Sequence, residues 1–179
     1  RRLRVNMSGF YYDYKNLQVN AVIGTPPINI LTNAATARIY GVDLEVAASI
    51  TENLTLSASA SYLDAKYTSY PGAVVFTRRT ASPFNNVSGV IDAAGFRLVR
   101  APKFTSNIGV NWDIPAELGK FNLNASMYHN DGFFWDANNR LREKPYNIVN
   151  AQIGFAPSDS WKVRVWGRNI FGAKYYTFQ

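Results

Sequence analysis

About seven stretches of the chain alternate apolar and polar residues with a period of two, the mark of strands whose side chains point to opposite faces of a sheet. In the first, Leu3, Val5, Met7, Gly9 and Tyr11 share one face, with Arg4, Asn6, Ser8, Phe10 and Tyr12 on the other. Around Tyr40 to Ile50, Tyr40, Val42, Leu44, Val46 and Ala48 oppose Gly41, Asp43, Glu45, Ala47 and Ser49. The stretches LTLSASASY, KFTSNIGVNW, FNLNASMYHN and NIVNAQIGF repeat the pattern, and WKVRVWGR closes it with Trp161, Val163 and Val165 against Lys162, Arg164 and Arg168. No segment reads as a helix.

Alternation alone predicts only a half-buried antiparallel sheet. Three features narrow it. The connections alternate in length: short near Ile50–Asn53, Asp113–Lys120 and Pro157–Ser160, long through Lys15–Ala35, Tyr67–Arg97 and Asp131–Lys144. Outer-membrane barrels have this asymmetry, with short periplasmic turns and longer extracellular loops. The polar faces are rich in Asn, Ser, Thr, Gln and Gly, which suits a wet lumen, and the apolar faces carry no charge between their ends.

Aromatic residues of apolar parity mark both ends of the stretches. Trp112, Phe121, Phe155 and Trp161 stand at the short turns, and Tyr11, Tyr40, Tyr62 and Phe104 at the long loops. From Phe104 to Trp112, at roughly 3.3 Å per residue and a tilt of about 40°, the chain covers on the order of 20 Å, close to an outer-membrane apolar band. Rings at that spacing predict two interfacial girdles. The predicted fold is all-β: an antiparallel up-and-down transmembrane β-barrel wall.

Composition limits the chemistry. There is no cysteine and one histidine, His129, which removes thiol and disulfide chemistry and leaves no set of ligands for a metal or cofactor. Asp43 and Glu45 share a strand face but lack a catalytic partner, so no enzyme is read here. His129 is read as an interface residue. The net charge of +7 calls for an anionic partner. No Lys/Arg block exceeds two residues and no nucleic-acid motif is present, so lipid or a small anion fits better than nucleic acid.

Four motifs in order, FYYDYKNLQV (10–19), ARIYGVDLEVAASITENLTLSASASYLDAKY (37–67), RAPKFTSNIGV (100–110) and VWGRNIFGAKYY (165–176), resemble the C-terminal barrel portion of TonB-dependent outer-membrane receptors. The resemblance implies a bacterial outer-membrane location and a barrel of about 22 strands, of which residues 1–179 supply about seven. It also implies a plug domain inside the barrel, coupling to TonB through a segment before the plug, and uptake of a scarce ligand such as a ferric siderophore. On this reading the plug, the earlier strands and the last strand are absent from the chain, Phe178-Gln179 being too short to supply that strand. A passive porin-like channel and a soluble carbohydrate-binding β-sandwich are the alternatives.

The candidate ligand-binding residues lie on the long-loop side: Arg78, Arg79, Arg97, Arg100, Arg140 and Arg142, with Lys103 and Lys144 nearby. They would attract an anionic ligand and grip carboxylates in bidentate fashion; lipopolysaccharide phosphates or plain solvation compete for the same side chains. Phe133, Phe134 and Trp135 could stack on a planar ligand or belong to a girdle. Arg4, Asp43, Glu45, Arg164 and Arg168 face the lumen, to pair with each other or with the plug.

Overall fold

The computed structural model describes residues 2–23, 28–81, 86–158 and 160–177. In chain order the strands are β1 (Leu3–Ile23), β2 (Ile28–Ser49), β3 (Leu54–Ser69), β4 (Ala73–Arg78), β5 (Asn86–Ile91), β6 (Phe104–Ala116), β7 (Gly119–Asn130), β8 (Phe133–Phe134), β9 (Arg142–Glu143), β10 (Tyr146–Ser158) and β11 (Trp161–Gly167). Nine form one antiparallel sheet in the order β11-β10-β7-β6-β3-β2-β1-β4-β5. Setting aside the β4–β5 hairpin leaves seven wall strands, each paired with its sequence neighbour in the wall.

The registers keep the apolar positions of the alternating pattern on one face. Met7 pairs Leu44, Leu44 pairs Ala60, Ala58 pairs Ile108, Ile108 pairs Met127, and Met127 pairs Val149. A slip of one residue would turn that whole set inward. The apolar face meets no second sheet among the described residues: Met7 is 76% exposed and Val165 67%. That excludes the β-sandwich, whose apolar faces must meet each other, and fits a face that meets lipid.

The long connections are far more ordered than the alternation predicted. Lys15–Ala35 is mostly strand, because β1 and β2 continue beyond Tyr11 and Tyr40 as one extended hairpin. Asn16 sits at φ 57 and the register shifts on either side of Leu17. That bulge reverses the parity, so a period-two count carried through it fails. From Tyr11 to Ile23 the hairpin runs about 40 Å along the strand beyond the girdle. Tyr67–Arg97 holds the β4–β5 hairpin, which folds back so that Ala73 pairs Ala21 of β1. Asp131–Lys144 holds the small β8–β9 ladder.

The closing strand is shorter than its pattern suggested. It ends at Gly167, where Asn169 turns at φ 48. The Asn169 side chain accepts the Ala173 N–H (2.8 Å) and donates to the Ala173 carbonyl (2.9 Å), fixing a turn in place of further pairing. Tyr175 and Tyr176 therefore lie in irregular chain, with Tyr175 stacked on Tyr146 at 4.7 Å. Phe178 and Gln179 fall outside the described residues.

The buried apolar cluster sits not in the wall but above it. Val19, Ala35, Tyr67, Tyr70, Ala73 and Ala93 pack together, backed by Leu17, Ile91 and Leu98. Within the wall, close packing shows best at Gly41, where the Phe10 ring on β1 lies over the glycine. A Cβ there would come within 2.7 Å of Phe10 Cζ and closer still to the Tyr62 carbonyl oxygen. Gly41→Ala should cost about 1–3 kcal/mol by overpacking, read as a lower urea midpoint for the refolded barrel. An unchanged midpoint would mean that both the Phe10 ring and the β3 backbone at Tyr62 give way freely.

Candidate functional site

The aromatic rings of the outward face fall into rows set by the registers. Tyr11 pairs Tyr40, and the two rings stack at 6.5 Å. Tyr62 pairs Phe104, whose ring is 6.0 Å from His129. His129 Nδ1 lies 2.7 Å from Asn147 Oδ1 on the next strand, so the histidine closes the upper row rather than entering the lumen. At the short-turn end Phe121 pairs Phe155 with rings stacked at 4.5 Å. Trp112 pairs Leu54, and Trp161 pairs Ser158, both indoles being exposed.

Beyond the upper row, two loops lock together. Asn139 sits at φ 55, the left-handed conformation asparagine tolerates. Its side chain binds both sides of Arg97: the Arg97 N–H donates to Asn139 Oδ1 (2.8 Å) and Asn139 Nδ2 donates to the Arg97 carbonyl (3.0 Å). Asp136 Oδ1 shapes the same loop by accepting the N–H groups of Arg140 (2.8 Å) and Leu141 (2.9 Å). The Arg100 N–H donates to the Phe134 carbonyl at 2.8 Å.

Two cations cross this seam. The Arg97 guanidinium lies 5.5 Å from the Phe134 ring centre, and that of Arg100 lies 4.9 Å from the Trp135 ring. Such contacts contribute about 0.5–2 kcal/mol each. Phe133 meets Trp135 edge to face at 4.9 Å. One face of Phe134 and one of Trp135 are thus engaged by arginine, and all three rings are half-buried. Arg142, on β9, pairs Phe134 of β8 and is exposed, as is Arg140.

The structure thus gathers Arg97, Arg100, Phe133, Phe134, Trp135 and Arg142 into one cluster at the mouth. Arg78 and Arg79 stand apart, exposed at the far end of β4. The lumen-facing charges do not meet each other either: Asp43 accepts from Ser61 Oγ (2.6 Å) and Glu45 from Asn6 Nδ2 (3.4 Å). Arg164 lies on β11 and Arg168 just past its end, with β10, β7, β6 and β3 between β11 and those acids. Among the described residues the one ion pair is Lys66 to Asp64, 3.2 Å.

Three residues shape the mouth in ways that residue type alone does not indicate. Glu143 is 4% exposed and its Oε2 accepts the Tyr176 N–H (3.2 Å) and the Trp135 indole N–H (3.4 Å), tying the closing segment to the mouth. Asp92 Oδ1 accepts the N–H groups of Tyr70 and Ala94, both at 3.0 Å. Asn139 is the third. The turn-forming DANNR string was a usable signal for Asn139; Glu143 and Asp92 gave none, since they differ from surface acids only in what folds over them.

A lipid-facing apolar band between aromatic rows, an amide-rich inner face and ordered loops on one side define a piece of an outer-membrane β-barrel. The chain belongs to the TonB-dependent receptor family: the family model described as TonB dependent receptor-like, beta-barrel, matches residues 1–170. Members of this family are transporters of the bacterial outer membrane, not enzymes. Among solved structures the chain is similar to the ferric yersiniabactin uptake receptor FyuA from Yersinia pestis, with TM-score 0.76 and 17% identity over 99% of this chain and 24% of that one. It is also similar to the siderophore receptor PiuA from Acinetobacter baumannii, with TM-score 0.74 and 16% identity over 99% of this chain and 23% of that one. A third is BauA, the ferric preacinetobactin receptor from the same organism, with TM-score 0.68 and 16% identity over 97% of this chain and 24% of that one. The chain spans about a quarter of the length of these receptors, and at such identities the likeness concerns the fold.

Asn139→Ala removes both hydrogen bonds to Arg97 and the one to the Asp136 carbonyl, and should cost the seam about 1–3 kcal/mol. Faster amide exchange at 97–101 and 133–142, with the wall unchanged, is the expected result. A second outcome concerns pH. Burial pushes the Tyr67 and Tyr70 hydroxyls above the ordinary phenol value of 10.0. The folded state then holds protons that the unfolded chain releases, so this stability is fully present below about pH 10 and is lost as pH rises through the raised values. A urea titration across that range should show the decline, and Tyr67→Phe should flatten it.

Proposed function

We propose that this chain supplies wall and mouth to a TonB-dependent receptor that takes up an anionic iron complex of the ferric siderophore class. The observation that supports it best is the cluster above the upper aromatic row, where Arg97 and Arg100 lie over Phe134 and Trp135 beside exposed Arg140 and Arg142. Arginine backed by aromatic rings is pre-oriented for a ligand with carboxylate or phenolate oxygens and planar groups. Arg78 and Arg79, further out on β4, would add to the field that draws such a ligand in. The plug would occupy the lumen, TonB would act through it, and outer-leaflet lipid and lipopolysaccharide would surround the girdles.

The test uses the full receptor in an iron-starved host lacking its own siderophore receptors. A panel of ferric catecholate, hydroxamate and carboxylate complexes should include at least one that restores growth only when TonB is present. Arg140→Glu with Arg142→Glu should then weaken binding of that complex about tenfold at low salt, mostly through the association rate. Growth on no member of the panel, or growth independent of TonB, would overturn the proposal.

A further inference from the structure

The inward face of the wall is not uniform. On β1 and β2 it carries Arg4, Asp43 and Glu45, and on β11 it carries Lys162 and Arg164, with Arg168 just past the strand's end. Between them, from Thr105 to Asn111 on β6, Asn122 to Asn130 on β7 and Ile148 to Gly154 on β10, no inward residue is charged.

This strip satisfies much of its own hydrogen bonding. Asn124 Nδ2 donates to Asn122 Oδ1, and Asn122 Nδ2 donates to Asn111 Oδ1 (3.2 Å) and to Asp113 at the strip's lower end. Asn150 Nδ2 reaches Ser126 Oγ at 3.5 Å, and Asn150 Oδ1 accepts the Asn169 N–H at 3.0 Å. A concavity of about 520 Å³ is let into the strip, lined by Ser57, Gly109, Asn124, Ser126 and Gln152, and bounded on its β11 side by Trp166 and Arg168. Arg4, Lys162 and Arg164, by contrast, make no ion pair or side-chain hydrogen bond among the described residues.

Whatever fills the lumen must adhere to this wall unevenly. An unpaired cation taken out of water is costly, so an occupant covering β11 has to bring its own opposite charge, and removing that partner afterwards is costly too. Amides already bonded to one another ask nothing of an occupant, and water rehydrates them with little change in free energy when it leaves. The weak seam is therefore the neutral strip.

We propose that the inward amide ladder of β6, β7 and β10 is the lane along which water and ligand pass when the lumen opens, with the occupant held at the charged flanks. This rests on the receptor reading above. The chain has no cysteine, so single-cysteine labelling reports on it cleanly. In the full receptor, any cysteines elsewhere replaced by serine, Ser126→Cys and Gln152→Cys would be compared with Ser8→Cys, opposite Asp43, and Arg164→Cys. A small neutral methanethiosulfonate would be added outside cells with and without TonB.

With TonB present, the two lane positions should react at least tenfold faster than the two flank positions. Asn124→Cys repeats the measurement if either lane variant fails to reach the membrane. Equal rates, or faster reaction at Ser8→Cys and Arg164→Cys, would overturn the lane. Fast reaction at the lane with or without TonB would leave the lane standing and remove the energy-coupled reading instead.

Discussion

Backbone hydrogen bonding in lipid is the constraint from which the rest of this structure follows. No water is present in the hydrocarbon layer to bind a free N–H or C=O, so every wall strand must lie against another. The seven wall strands do this with nearest-neighbour antiparallel pairing, and the pairing sets everything else. Because side chains alternate, each register decides at once which residues meet lipid and which face inward. Tyr11 opposite Tyr40, Tyr62 opposite Phe104 and Phe121 opposite Phe155 are consequences of those registers, as is the meeting of Asn111 with Asn124.

A wall one sheet thick has no interior. Its apolar side chains stabilise it only through lipid, and its polar ones through water, each other or the contents of the lumen. The close-packed cluster around Tyr67 and Tyr70 is accordingly found where the chain leaves the bilayer. There the strands are longer than the membrane requires, and the loops can fold over them. The ordered mouth is thus a small globular structure resting on a barrel, with its own core, its own turn-forming Asp and Asn residues, and cation–aromatic contacts between its parts.

The wall was legible in the sequence because its determinants are local and periodic. Faces, strand pairing and the aromatic rows all follow from counting by two. Counting failed where the chain breaks its own period. The bulge at Asn16 hid the outer halves of β1 and β2, and the turn at Asn169 ended β11 before its pattern did. At the mouth, residue type picked out arginines and aromatic rings as noteworthy, but not that Arg97 lies over Phe134 or Arg100 over Trp135. Those contacts join loops that are distant in sequence, and no spacing rule encodes them. Glu143 illustrates the limit most plainly: an acid in a charged string, buried, with its carboxylate accepting the Trp135 indole N–H and the Tyr176 backbone N–H.

The Asn139 contact has a consequence for how such a mouth can change over generations. The two hydrogen bonds by which it crosses to the other loop go to the main chain of residue 97, not to the arginine side chain. A different side chain at that position therefore leaves these two hydrogen bonds in place. What is inherited is a fastening indifferent to the chemistry it presents, which leaves specificity free to drift while the architecture holds still.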